Sequence, residues 1–247
     1  MIRASHQMSE ISEEDYPQVA TAIEAAEVFS RMITPCVYVA DLARGNFLYV
    51  SDCLLKHFRC TREEVMPLRH SFFTRFLSEK ELAMLPKLDH AIKTLFGHAH
   101  QSELIDETLS VDINMTLGGK RILVNYKIKL FATDCDGRPW LVLGLVSRSA
   151  VREGGQIIVG NAKSHERRRF VDDEGPGHWE MMPYDRLSDL EMEMLSLSSR
   201  GYSLDEIAKM LHRSVPAVKH YRKQVFDRLG AKNVAHALAL ADALCLI

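Results

Sequence analysis

The sequence has no run of roughly 18 apolar residues, the least a membrane-spanning helix requires, so no such span is expected. Its opening, MIRASHQMSEISEEDY, is acidic and lacks an apolar core, so no signal peptide is expected. Cysteine is sparse: five residues, at 36, 53, 60, 135 and 245, odd in number and without a CxxC pair. That excludes a disulfide framework and points to free thiols in a reduced cytoplasm. Walker A, GxSxG and HExxH motifs are all missing, which removes the common nucleotide-binding, serine-hydrolase and zinc-peptidase readings. His98 and His100 form an i, i+2 pair with no third ligand, and Asp172–Glu174 lacks the ligand spacing of a calcium loop. No enzyme, no metal site and no cofactor are expected.

An excess of charge of one sign is also missing. The net charge is −2 and the pI about 6.6, which excludes a non-specific nucleic-acid coat. The charge is divided, however. Residues 186–247 carry nine Lys and Arg against seven Asp and Glu, net +2, which leaves −4 for the rest. Only the C-terminal part is suited to approach phosphates.

What is present is concentrated in residues 187–238. Ser188 and Glu191 have the spacing of a capping box, with Leu187 and Met192 as its hydrophobic staple. Ser203 and Glu206 repeat the box, and Tyr202 and Ile207 the staple. Gly201 stands where a helix C-terminus needs a left-handed residue. His212-Arg213-Ser214 is a turn of helix-turn-helix length, with Ser214 as the next N-cap. Val218, Val225 and Leu229 then face inward at helical spacing. Over 213–232 six basic residues oppose one acid, net +5. A basic helix after a three-residue turn is suited to a DNA major groove.

The stretch resembles the LuxR-type (GerE-like) DNA-binding domain over about 50 residues. The family's L-T-x-x-E opening is matched by Leu187, Ser188 and Glu191, and its G-x-S-x-x-E-I-A-x-x-L by Gly201, Ser203, Glu206, Ile207, Ala208 and Leu211. Its S-x-x-T-V-K is matched by Ser214, Val218 and Lys219, and its K-L-G by Arg228, Leu229 and Gly230. Leu190, Ala217 and Tyr221 depart from the usual Arg, Thr and His. The resemblance implies base contacts from Lys219, His220 and Lys223, and phosphate or groove-edge contacts from Ser214, Arg222, Gln224 and Arg228. It also implies a fourth helix over 233–244, capped by Asn233, whose stripe of Val234, Ala237, Leu238, Ala241 and Leu244 pairs with its twin in a dimer.

Upstream the pattern changes to strands. Leu109, Val111, Ile113, Met115 and Leu117 alternate with polar residues, as do Ile122, Val124, Tyr126, Ile128 and Leu130. A Gly118-Gly119 turn sets Met115 opposite Ile122, Ile113 opposite Val124 and Val111 opposite Tyr126. A second two-residue turn at Asp136-Gly137 sets Leu130 opposite Leu143 and Ile128 opposite Leu145. Residues 37–41 and 46–50 read as a hairpin around Gly45. Helices follow: 52–59, one started by Thr61 and Glu64, and a longer one from a Ser78–Glu81 box. Val19, Ile23, Ala26, Phe29 and Ile33 form a helical stripe ended by Pro35, which either covers a sheet face or pairs with a second copy.

This order resembles a PAS domain over roughly 30–150. Its opening is matched by Val37–Asp41, Gly45, Leu48–Ser51 and Arg59–Glu64. The resemblance implies sheet order 2-1-5-4-3 and a cavity for haem, flavin or a metabolite, or else a packed core that signals through partners. Thr74 occupies the place of the reactive cysteine in flavin photosensors, which excludes a thiol adduct there. His57, His70 and His90 are candidate haem ligands, each read more simply as an ordinary histidine. The apolar inner face of Val111, Ile113, Met115, Val124, Tyr126, Ile128, Leu143 and Leu145 is the candidate ligand surface. Residues 154–171 read as a further hairpin, with Arg167–Arg169 either touching phosphates or guarding a sheet edge. Residues 172–177 read as a linker, after which Trp179, Met181, Met182 and Tyr184 need something to pack on.

The expected fold is therefore α+β followed by all-α. Flanking helices cover 1–35, a PAS-like domain with a five-stranded antiparallel sheet 36–150, a hairpin and linker 151–180, and a four-helix DNA-binding domain 181–247. The expected function is a cytoplasmic, dimeric, sequence-specific transcriptional regulator that meets double-stranded DNA and RNA polymerase, with a domain that senses a small molecule or a partner. The alternative is a PAS-type interaction module whose helical tail binds protein.

Overall fold

The computed structural model describes residues 16–66, 71–96, 104–134, 137–151, 153–164, 166–172, 177–182 and 187–243. His70, His98, His100, Cys135, Tyr184, Leu244 and most of the 172–177 segment lie outside them. The chain forms two compact units, 1–182 and 183–247.

In the first unit, α1 (Tyr16–Met32) leads into a hairpin of β1 (Cys36–Asp41) and β2 (Asn46–Val50). Short helices α2 (Asp52–Phe58), α3 (Arg62–Val65), α4 (Ser71–Thr74) and α5 (Glu79–Leu82) and the longer α6 (Leu85–Phe96) follow. Then come β3 (Glu107–Leu117), β4 (Lys120–Thr133), β5 (Pro139–Arg148), β6 (Ile157–Asn161), β7 (Arg167–Val171) and β8 (His178–Met181). The sheet is ordered β2-β1-β5-β4-β3-β6-β7-β8 and every pairing is antiparallel. Its first five strands have the PAS-like order. The expected five-stranded sheet is thus extended by three strands: the 154–171 hairpin adds to the edge of β3, and β8 adds to the hairpin.

The β3–β4 register is the expected one, with Met115 opposite Ile122, Ile113 opposite Val124 and Val111 opposite Tyr126. Gly118 (φ 56°) and Gly119 (φ 76°) are both left-handed, as a type I′ turn requires. The β4–β5 register is not the expected one. Ile128 faces Gly144 and Leu130 faces Val142, one residue out of step. The Asp134 amide donates to the Arg138 carbonyl at 2.9 Å, so the turn is one residue longer than Asp136-Gly137 alone. A one-residue slip exchanges the two faces of a strand. Leu143 and Leu145 therefore leave the inner face and join the layer under α1, while Val142 and Val146 take their places.

That outer layer holds Ala22 and Ala26 of α1 against Val37, Val39, Trp140 and Leu141, so α1 covers the sheet. The Ser30 hydroxyl and the Tyr49 phenol are hydrogen-bonded at 2.9 Å across this contact. The capping box at Thr61 and Glu64 is complete. Ser78 departs from expectation: it stands at the N-cap of α5, but its hydroxyl donates to Glu81 instead of accepting a backbone amide.

Val171 and His178, which flank the segment read as a linker, pair with each other as β7 and β8. Trp179 packs on Phe170, with ring centroids 5.3 Å apart, and so belongs to the first unit. Nor is the arginine run a sheet edge: β8 covers it, Arg168 pairs with Glu107 at 2.6 Å, and Arg169 with Glu180 at 3.0 Å.

Candidate nucleic-acid interface

The second unit is built from α7 (Asp189–Ser199), α8 (Leu204–Met210), α9 (Val215–Leu229) and α10 (Val234–Ala243). Its starts are fixed by the residues that the pattern indicated. Ser188 and Ser203 both form complete capping boxes with Glu191 and Glu206. The Ser214 hydroxyl accepts from the Ala217 amide at 3.4 Å, and the Asn233 side chain from the His236 amide at 2.8 Å. Each such cap is worth about 1 kcal/mol. Gly201 (φ 85°) and Gly230 (φ 64°) end α7 and α9 in left-handed conformation. His212 (φ 50°) does the same inside the α8–α9 turn without being glycine.

Met194, Leu195, Ile207, Ala208, Val218, Val225, Ala237 and Ala241 make the core. With Val218 and Val225 fixed inward, helical geometry throws Lys219, His220 and Lys223 onto the opposite side within about 100° of one another. All three are exposed. Arg222 and Gln224 lie at the flanks of this stripe and are half-buried. Ser214 is exposed at the N-cap, so its amide end faces outward with the helix dipole behind it, the arrangement that receives a phosphate.

Arg228 is differently engaged. Its Nη1 donates to Glu191 Oε2 at 2.7 Å. That same oxygen accepts from the Ser188 amide at 2.7 Å and the Ser188 hydroxyl at 2.8 Å. Glu191 is only 1% exposed. The pair ties the last turn of α9 to the first turn of α7. Sequence reasoning saw Glu191 only as a cap and Arg228 only as a cation, because nothing local links residues 37 apart.

In the first unit, Val111, Ile113, Met115, Val124 and Tyr126 do line one buried inner face, with Ile128 partly buried against it and Leu143 on the other side. The phenols of Tyr38 and Tyr126 are both enclosed there, and burial pushes both well above the ordinary tyrosine range. The Tyr126 hydroxyl donates to Met115 Sδ at 2.8 Å, a weak acceptor. The sequence reading passed over Phe73, which meets Tyr38, Phe47, Phe58, Phe72 and Tyr126 at centroid distances of 5.3–6.1 Å. The aromatic density of Ser71-Phe72-Phe73-Thr74-Arg75-Phe76 was the available signal. Of the candidate haem ligands, His90 stacks on Phe170 at 5.3 Å, and His57 lies beside Cys36 and Cys53.

Residues 185–241 match the family model of bacterial regulatory proteins, luxR family. Over 76 residues the chain is 33% identical to the transcriptional activator protein BglJ of Escherichia coli (strain K12), covering 31% of this chain and 34% of BglJ. Over 129 residues it is 29% identical to YhjB of the same organism, covering 47% of this chain and 61% of YhjB. The chain thus spans about a third and three fifths of these relatives. Among solved structures it is similar to the phage VqmA–DPO complex at 14% identity and TM-score 0.37, covering 94% of this chain and 91% of that one. It is also similar to the PAS domain of Bordetella pertussis BvgS at 18% identity and TM-score 0.34, covering 53% and 88%.

Proposed function

With residues 185–241 forming a LuxR-family regulatory domain, we propose that the chain is a sequence-specific, DNA-binding transcriptional regulator acting in the cytoplasm. The observation that carries this reading is the outward stripe of Lys219, His220 and Lys223 on α9, held by a capped three-residue turn. Lys219 and Lys223 reach base edges, Ser214 and Arg222 meet phosphates, and Gln224 edges the groove. Arg228 contributes through the fold, by fixing α9 to α7. The protein binds as a dimer, because one recognition helix reads few base pairs and two half-sites about 34 Å apart are needed for a full operator. It acts on transcription together with RNA polymerase.

The PAS-like domain supplies the signal, and it binds rather than catalyses. Its described inner face from Val111 to Tyr126 offers apolar side chains, joined by the phenols of Tyr38 and Tyr126. Phe73 remains half-buried while surrounded by Tyr38, Phe47 and Tyr126, which suits a small apolar or aromatic effector fixed by a phenol. A folded prosthetic group is not part of this reading.

The test is an operator selected from random DNA and measured by gel shift at several salt concentrations. Log affinity should fall linearly with log salt. Lys219→Ala and Lys223→Ala should each weaken binding by about 1–3 kcal/mol, and relax sequence preference at the base each one reads. Wild-type affinity in both variants would sink the assignment.

A further inference from the structure

Cys36, Cys53 and His57 serve neither the DNA-facing stripe nor the apolar face described above. Cys36 opens β1 and is 5% exposed, Cys53 is half-buried in the first turn of α2, and His57 is exposed one turn later. Expected as free thiols, the two cysteines are instead joined as a disulfide, with Cα atoms 5.1 Å apart. His57 Nδ1 lies 3.6 Å from Cys53 Sγ and 3.8 Å from Cys36 Sγ. The three atoms all fall within 4.8 Å of one another.

These separations have a chemical meaning. Metal–sulfur bonds of about 2.3 Å and metal–nitrogen bonds of about 2.0–2.1 Å, set at a tetrahedral angle, put a sulfur and a nitrogen about 3.6 Å apart. The imidazole nitrogen already stands at that distance from both sulfurs. Cys53 and His57 share one side of α2 by their i, i+4 spacing, and the third ligand comes from the neighbouring strand. Two thiolates and one imidazole select a soft or borderline ion.

We propose that Cys36, Cys53 and His57 form a site for a thiophilic divalent ion of zinc's class, taken up when the cysteines are thiols and excluded when they are joined. Binding releases two protons, one from each thiol. His57 Nδ1 gives up its 2.9 Å hydrogen bond to the Cys53 carbonyl, and the ring proton moves to Nε2. The exposed side of His57 is the entry path and leaves a fourth position for water. Bound metal would fasten β1 to α2, since Cys36 opens the strand while Cys53 and His57 stand on the helix.

The test uses the full chain, reduced until all five cysteines titrate after unfolding and then freed of reductant without air. Cobalt(II) alone is added, followed by zinc(II). One equivalent of cobalt should give thiolate-to-cobalt charge-transfer absorption that zinc bleaches. Cys36→Ser and Cys53→Ser should each abolish the band, His57→Ala should weaken binding at least tenfold, and Cys60→Ser should leave it unchanged. Wild-type protein reoxidised with diamide should show no band, which tests the site without any substitution. Absence of the band in reduced wild type overturns the proposal, as does its survival in either serine variant or in the oxidised chain.

Discussion

Glu191 is the side chain on which the second unit turns. Its carboxylate takes three hydrogen bonds at 1% exposure, one of them from Arg228. Removing one partner of a buried pair leaves an uncompensated charge and costs about 3–5 kcal/mol. The Arg228 side chain is 30% exposed, so Arg228→Ala should fall at or below about 3 kcal/mol in urea denaturation of the second unit. Arg228→Ala that weakened DNA binding without lowering stability would restore it to phosphate contact. Gly144 shows the same dependence on a distant partner. A Cβ there would fall inside the Tyr38 ring, so Gly144→Ala should destabilise the first unit by about 1–3 kcal/mol, and Tyr38→Leu in the same chain should recover part of the loss. Glu81 adds a pH dependence. A hydrogen bond from Ser78 holds its carboxyl below the usual range, with Arg121 assisting against burial. A lowered carboxylate stabilises the fold above its unfolded value of about 4.3, and that contribution is lost as pH falls through the lower folded value. Acid unfolding of Glu81→Gln should therefore be less steep below about pH 4.3 than that of wild type. The Glu191–Arg228 and Gly144–Tyr38 couplings and the Arg121 contact of Glu81 were not legible in the sequence, because each joins residues far apart in the chain through a side-chain contact that leaves no periodic trace, whereas the spacing of Ser78 and Glu81 was.

At the scale of elements, local chemistry was mostly sufficient. Caps, staples and the Gly201 terminus lie within a few residues of what they satisfy, so α7, α8 and α9 could be read directly. Gly118-Gly119 specified the β3–β4 register for the same reason. The β4–β5 turn failed because Asp-Gly is compatible with two lengths of turn, and one extra residue exchanged Leu143 and Leu145 for Val142 and Val146. The stripe on α10 was read correctly as apolar but assigned to a twin. Ala237 and Ala241 are instead fully buried within their own unit. Ala241→Asp should accordingly unfold the second unit. Leu238 is only half-buried, so Leu238→Asp should leave the unit largely folded while reducing dimerisation and operator affinity. Equal loss of helical circular dichroism in both variants would remove that distinction. In the α8–α9 turn, His212 holds a left-handed conformation that glycine adopts without strain. His212→Gly should raise stability by several tenths of a kcal/mol, and His212→Val should lower it.

At the scale of the whole molecule, the chain divides into two units, 1–182 and 183–247. The sequence began the second domain at 181 and took 172–177 for the linker on the strength of its Gly and acidic residues. The strands on either side of that segment pair with each other, Val171 with His178, so both belong to the first unit. The added strands have a practical consequence for anyone who wishes to isolate the sensor. A fragment ended at residue 150 would strip Ile157, Val159 and Phe170 from the molecule and leave the Glu107–Val111 edge of β3 with unsatisfied amides and carbonyls beside bare apolar surface. Such a rim recruits other chains, so that fragment should precipitate, whereas one carried to residue 182 should remain monodisperse in light scattering.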